Sequence, residues 1–519
     1  MAKQRDLSIA FPSGGVSERH GFNKQAPFTT PDSNNIWPFQ WETGRERGGV
    51  RPGIVSSGSS VSGAKNWCDA NWVGNNSVAV VGSSGTSVYT GSSWDIRISE
   101  STSSNDVTSC ATHLMSLYQA VGTTNHACVY VPLDESAGKA DLVAAAEKGT
   151  APKGCGLVSS WNDRLVLAGD IENPQILYMS AVGDPTDWDY SSPTGSAAWA
   201  NSSSGTSGAI SENITSLIHH NSDCLIVGCT DSMYAVRGNP AAGGYVYSLS
   251  NVIGPLQHSA WCKTDNDHTV IMTRSGLYSI RPGCGEPPVS MSSENLPSSL
   301  VGIDPGSGDS VSIGYDSRWR GIHIYANYSG GSKEYWFYDL QSKGFWPMSF
   351  LTHSDGSPDF ESPSYRTVDL AINIKDSASP TKSGLHVISG SSSYQFDSDS
   401  TSEFIDSHIL YGPIPLGSAH TEGVLTELNA VLSEDSGDVA WSVFAAKSAQ
   451  EAYALVKAGT PSFTGTKWDI QGFNYLQNPL VRGAAFYLKL EDDSGTASER
   501  RWCVEEILAK FRPAGKRRK

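Results

Sequence analysis

The residues in this 519-residue chain that could do chemistry are mostly carboxylates set close together. Asp187 with Asp189, Asp492 with Asp493 and Glu505 with Glu506 each pair two acids, and a proton donor beside a proton acceptor is what glycoside hydrolysis needs. Their settings favour ordinary solvated turns. The first pair lies in a Gly-Asp-Pro-Thr-Asp-Trp-Asp turn, the second in a hairpin tip, and the third alternates across a strand or a helical turn. The histidines are dispersed. His219 and His220 are adjacent, and neighbours on a strand point to opposite faces, so they do not share a metal. The nine cysteines contain no CxxC and no pair near a histidine at zinc-finger spacing, which points to reduced, buried thiols.

No phosphate-binding GxxxxGK[ST], HExxH, EF-hand loop or GxSxG elbow occurs. Ser433-Glu434-Asp435-Ser436-Gly437-Asp438-Val439-Ala440-Trp441 resembles the Asp-box hairpin of sialidase propellers, but it lacks the Thr, places Trp one residue late and occurs once. Even in a true Asp box the Asp and Gly serve the turn. The aromatic run Tyr335, Trp336, Phe337, Tyr338, with Phe345 and Trp346, offers a sugar-stacking surface on one reading and packing between sheets on the favoured one. No catalytic, cofactor-binding or metal-ligating residue emerges, and the expectation is a protein that is not an enzyme and carries no cofactor.

The elements behind these residues are short strands. With 52 Gly, 26 Pro, 10% aromatic and 17% charged residues, the chain describes many turns around apolar segments and excludes a helical bundle or coiled coil. One unit recurs: an apolar strand, a polar or Gly turn, and a second strand usually bearing an aromatic. It begins at Val78, Leu165, Leu225, Val270, Ile322 and Leu385, with a fainter copy at Leu114, at intervals of roughly 35 to 65 residues. The expected fold is therefore all-β: a β-propeller of about six to seven irregular blades over residues 61–406, with a pair of β-sandwiches as the competing architecture. Residues 1–60 read as an extended N-terminal arm, and 407–519 as a C-terminal β-sandwich-like domain with a basic tail. Two short helices are expected, over Asp141–Lys148 and over Ser448–Lys457, the latter with Ser448 and Glu451 as a capping box.

Charge separates the ends from the middle. The net charge of −16 argues against a surface that grips DNA or anionic membrane. No apolar run approaches a membrane span and no secretory leader opens the chain, so a soluble protein made in the cytoplasm is expected. Positive charge gathers in Arg45, Arg47 and Arg51 of the arm and in Lys516, Arg517 and Arg518 of the tail. These six are the candidate interface residues, because a long Gly/Pro-rich arm is usually ordered by a partner and a basic tail can plug an acidic surface.

Several local patterns, taken in order, resemble one family. The opening GGVSERHGFNKQAPFTTPDSNNIWPFQWETGRERGGVRPGI, then Val182-Gly183-Asp184-Pro185-Thr186-Asp187-Trp188-Asp189, DCLIVGCTDSMYAVRGNPAAGG, SGLYSIRPG, SIGYDSRWRGIHIYA and the closing EEILAKFRPAGKRRK are similar to tail nozzle proteins of short-tailed bacteriophages, also called tail tubular protein B or packaged-DNA stabilisation proteins. The resemblance implies a propeller-bearing structural protein of the virion tail. It would form a ring, usually a hexamer, below a tail adaptor protein, near tail fibres, with viral double-stranded DNA passing through transiently and without sequence preference. An acidic lumen would repel that DNA and prevent sticking. Host-membrane contact is not evident. Two other classes remain: a tail-fibre or receptor-binding module recognising host surface glycan, and a propeller enzyme acting on glycans, which needs carboxylates or arginines clustered at the axis.

Overall fold

Six times in succession the chain doubles back three times to make a four-stranded antiparallel sheet, with strands in sequence order. The computed structural model describes every residue except 1–4, 23–24, 42, 73–74, 92, 103–106, 123–127, 133–137, 203–207, 293–294, 353–363, 375–382, 398–404, 417–420, 435, 469–476, 493–500 and 517–519. The first strands of sheets 1 to 6 are Asn66–Trp72, Cys110–His113, Cys155–Trp161, Ile214–Asn221, Trp261–Lys263 and Ser310–Asp316. Sheet 7 takes three strands from Leu370–Ile374, Gly384–Ser389 and Ser392–Asp397, and its fourth, Gly53–Ser59, from the N-terminal segment.

The recurring unit of the sequence is the second and third strand of each sheet. The Leu225 copy, for example, becomes Cys224–Cys229 and Met233–Arg237. These strands are apolar without strict alternation because both faces are covered. Ala79 and Val81 of sheet 1 pack with Leu117 and Val129 of sheet 2. Seams of the same kind join sheets 2 to 3, 3 to 4, 4 to 5, 5 to 6 and 6 to 7. The circuit closes where Leu370 and Ile372 of sheet 7 pack with Val78 and Val80 of sheet 1. Each buried Leu, Ile or Val contributes about 1.5–3 kcal/mol, so the seams carry most of the cohesion.

Two larger sheets follow, ordered Arg5–Ile9, Val504–Lys516, Thr421–Leu432, Val481–Gly483 and Ser33–Asn34, His408–Pro415, Ala485–Asp492, Val439–Ala446, Phe463–Thr464, and two two-stranded ladders pair Ile36–Trp37 with Gly49–Val50 and Leu351–Thr352 with Ser364–Tyr365. The two larger sheets share one core, in which Leu425, Leu428 and Ile507 meet Ile409, Leu488 and Trp441. The helix Ala449–Lys457 forms as expected, with the Ser448 hydroxyl accepting from Glu451 N.

Two expectations need correction. No helix covers Asp141–Lys148: Leu142 N bonds Cys128 O, Ala145 N bonds Thr186 O, and Glu147 and Gly149 have φ of 66° and 74°, so the backbone is claimed by neighbouring segments. The thiols are not all free either, since Cys224 of sheet 4 is bonded to Cys284 beyond the third strand of sheet 5. Sixty residues separate them, and only the seam between the sheets brings them together.

Candidate functional site

Two places gather chemically capable side chains. The first is a cup of about 650 Å³ lined by the first strands of all seven sheets. First strands carry more polar residues than second and third ones because one side of each meets this cavity. Asp69, His219, Lys263, Asp265, Asp267 and Arg318 are among its lining groups. The segment before Trp261 closes one part of it: His258 Nε2 lies 3.1 Å from Lys65 O, which just precedes sheet 1, while Gln257 and Ser259 bond Val311 O of sheet 6. Burial lowers the His258 imidazole to about 4, and desolvation by the cup wall, then Lys263, lowers His219, which opens to the cavity, so both are neutral at pH 7. Tyr315 donates to Asp265 at 2.8 Å, and burial followed by that carboxylate pushes the phenol up. Arg318 pairs with the fully buried Asp316 at 3.2 Å and also donates to Phe396 O, tying sheet 6 to sheet 7. Among the described residues no group of three His, Cys, Asp or Glu side chains could hold a metal.

The second place is the joint where the N-terminal segment passes between the seven sheets and the C-terminal sheets. Gly14 and Gly15 lie flat against Gly344 and Phe345. A Cβ on Gly15 would meet Phe345 O at 2.6 Å and its φ is +74°, which explains the glycine pair that opens the family-like stretch. Trp37 stacks on Phe337 with ring centroids 4.4 Å apart, and Phe11 stacks on Trp346 at 5.6 Å. The aromatic run is therefore core, as packing between sheets requires, and offers no sugar-stacking face: Tyr335, Trp336, Phe337, Tyr338, Phe345 and Trp346 are all buried.

The candidate interface residues divide. Arg51 is fully buried in the joint: Nε bonds Asn35 Oδ1 at 2.8 Å, Nη1 bonds Pro52 O and Nη2 bonds Ser349 O at 2.9 Å, and the guanidinium lies over the Phe350 ring. Its donors are occupied within the chain, which removes it from the surface a partner could touch. Arg47 is half-buried and engages Glu505, Gln40 and Ser433, so it fastens the same segment to the long C-terminal strand. Arg45 is exposed. Lys516 ends the strand Val504–Lys516, paired with Thr421, while Arg517 and Arg518 lie outside the described residues. Between Arg5–Ile9 and Gly53–Ser59 the N-terminal segment's strands, Ser33–Asn34, Ile36–Trp37 and Gly49–Val50, are two residues long and leave no periodic trace, so this stretch reads as an unpaired arm in sequence.

The carboxylate pairs do not assemble a site. Asp184, Asp187 and Asp189 each accept from backbone N–H groups two residues on, and Lys148 pairs with Asp184. Asp492 accepts from Ser407 N, and Asp493 lies outside the described residues. In the Asp-box-like stretch Gly437 N bonds Arg501 O and Trp441 is buried, while Asp435 lies outside the described residues. His219 faces the cup, whereas His220 is buried against Thr269 and the carbonyls of Arg281 and Pro282. The cup residues come from seven separate sheets, so no sequence spacing announces them. The one signal was the polar character of each segment just before an apolar repeat.

No family model matches the chain, and no curated protein does. Solved structures that resemble it include the extracellular domain of a proposed one-component system from B. thetaiotaomicron, at 11% identity and TM-score 0.39, covering 76% of this chain and 45% of that one. Another is the extracellular domain of a proposed hybrid two-component system of the same organism, at 10% identity and TM-score 0.40, covering 75% and 46%. A puromycin-hydrolyzing peptidase of Mycobacterium tuberculosis matches at 11% identity and TM-score 0.33, covering 71% and 54%. The chain spans about half the length of each, and likenesses at this level say nothing of function.

Proposed function

We propose that this protein is a structural component of a short-tailed phage tail, the nozzle ring that extends the portal and adaptor channel, retains packaged DNA and conducts it during ejection. In this reading the seven sheets are the blades of a propeller, closed by Gly53–Ser59 completing the seventh. The observation that carries it is the joint. Residues 5–59, which contain the family-like opening from Gly14 to Ile54, supply strands to sheet 7 and to both C-terminal sheets, with Arg51 and Trp37 packed in the joint between them. A body fastened internally in this way suits a ring subunit that holds pressurised DNA. The cup supports the reading from the other side, because 650 Å³ is the size of a small-molecule cavity and duplex DNA, whose major groove alone is about 12 Å wide, cannot thread it. The DNA path then lies on the axis shared by several chains, where a charge of −16 per chain, repeated around the ring, repels the duplex. Exposed Arg45 and the basic tail are left to contact the adaptor or the neighbouring subunit.

Imaging the protein co-expressed with its genomic neighbours tests this. Rings, expected to be six-fold, coaxial with a portal and acidic toward their lumen, are the predicted result. A monomer that binds or cleaves host glycan, or a ring with a basic channel, overturns it.

A further inference from the structure

Three thiols, those of Cys68, Cys110 and Cys262, lie in the wall of the cup. Cys68 belongs to the first strand of sheet 1 and Cys110 opens the first strand of sheet 2. Cys110 Sγ donates to Ala79 O at 3.7 Å, and Ala79 is the residue paired with Cys68 across sheet 1. The sulfur of the second sheet thus reaches over the first, and Cys68 packs against the cluster between sheets 1 and 2 that contains Cys110. Cys68 is half-buried while Cys110 is buried behind it. An accessible thiol backed by a second thiol is the arrangement in which oxidation ends in a disulfide and goes no further up the ladder to sulfinic or sulfonic acid.

We infer that Cys68 and Cys110 are an oxidation site, closing to a disulfide between sheets 1 and 2 when hydrogen peroxide enters the cup. Cys68 sulfur attacks one peroxide oxygen, the O–O bond breaks, and the departing hydroxide takes the thiol proton and leaves as water. The sulfenic acid on Cys68 is then attacked by Cys110 sulfur; the S–O bond breaks, the second thiol proton goes with the oxygen, and a second water leaves. Two thiols are oxidised by two electrons and one peroxide is reduced to two waters. The Cys110 thiol beside it, burial and Asp69 all hold Cys68 in its protonated form, so the first step is slow and excess peroxide is needed. The product staples the seam next to the one where the circuit of sheets closes. The inference does not depend on the proposed role in a phage tail.

The full chain, purified in reductant and freed of it, is treated with hydrogen peroxide, alkylated and digested without reduction for mass spectrometry. Cys68 joined to Cys110 in most chains is expected, with two fewer titratable thiols, while Cys128 and Cys155, fully buried between sheets 2 and 3, react only after denaturation. In Cys110→Ala, Cys68 should instead stop at a sulfenic acid that dimedone traps. Peptide mapping of the unsubstituted chain decides the matter even if that variant fails to fold: Cys68 advancing to sulfonic acid with Cys110 still free, or Cys68 joined to Cys262, overturns the inference.

Discussion

The cup and the joint share residue types, tryptophan, tyrosine, arginine and histidine, and put them to opposite uses. At the centre of the joint they are packed dry: Arg51 gives its donors to Asn35, Pro52 and Ser349, and His323 sits among Trp37, Phe337 and Phe396 with Nε2 lacking a hydrogen-bond partner among the described residues. In the cup Asp69, His219, Lys263, Asp265 and Asp267 are exposed to the cavity. A buried polar group depends on its partners for its energy, whereas one facing water has a substitute for any partner it loses. Stability should therefore reside in the joint and adaptability in the cup.

The largest test removes the joint outright. Deleting residues 1–60 takes away Gly53–Ser59, leaving an open edge on sheet 7, together with Arg5–Ile9 and Ser33–Asn34 from the C-terminal sheets. We expect insoluble protein with no cooperative unfolding transition by circular dichroism; a soluble, cooperatively folding truncation would show that the segment is an accessory. At single-residue scale, Arg51→Ala strands the Pro52 and Ser349 carbonyls in a dry site, leaves Asn35 Oδ1 with Ser349 N alone, and should cost about 3–5 kcal/mol in urea unfolding. Asp265→Ala at the cup removes one hydrogen bond to an exposed carboxylate and should cost about 1 kcal/mol or less. Equal costs would erase the distinction between the two regions.

Acid should find the joint as well. Burial, reinforced by nearby Arg318 and Arg51, lowers the His323 imidazole to about 3, against an ordinary value of about 6.5. Between those values the unfolded chain takes up a proton that the folded chain refuses, so the contribution is intact above pH 6.5 and drains away as pH falls toward 3. The loss from pH 7 to pH 4 should be about 3 kcal/mol, and His323→Phe should flatten that limb of the stability curve. An unchanged acid limb in the variant would place the sensitivity elsewhere.

Legibility in the sequence follows the same division. The second and third strands of all seven sheets were readable because both faces are covered and the apolar run is unbroken, as in Cys224–Cys229. First strands such as Asn66–Trp72 mix polar and apolar residues because one side meets the cup, and fourth strands such as Trp199–Ala200 are too short to carry a period. The same brevity hid Ser33–Asn34, Ile36–Trp37 and Gly49–Val50 around it, so Arg51 looked like a free cation and proved to be the centre of the joint. Pro52 and the glycines around it were visible; what they were pressed against was not, since Ser349 and Phe350 lie some 300 residues away.

The smallest effect expected has the opposite sign. Leu114 and Met115 form the tip that follows the cup-lining strand Cys110–His113, and both are exposed with φ of 44° and 62°. Two-residue hairpin tips with two positive φ values favour Asn-Gly, since a branched or bulky side chain pays a steric penalty there. Replacing the pair, Leu114→Asn with Met115→Gly, should therefore raise stability by roughly 0.5–1 kcal/mol, measured by the urea midpoint at unchanged slope. Strain and apolar surface kept together at one solvent-facing tip point to a position held for contact and not for stability. If the double substitution destabilises the fold, the tip is part of the packing, and structural duty extends beyond the joint to the hairpin that follows a cup-lining strand.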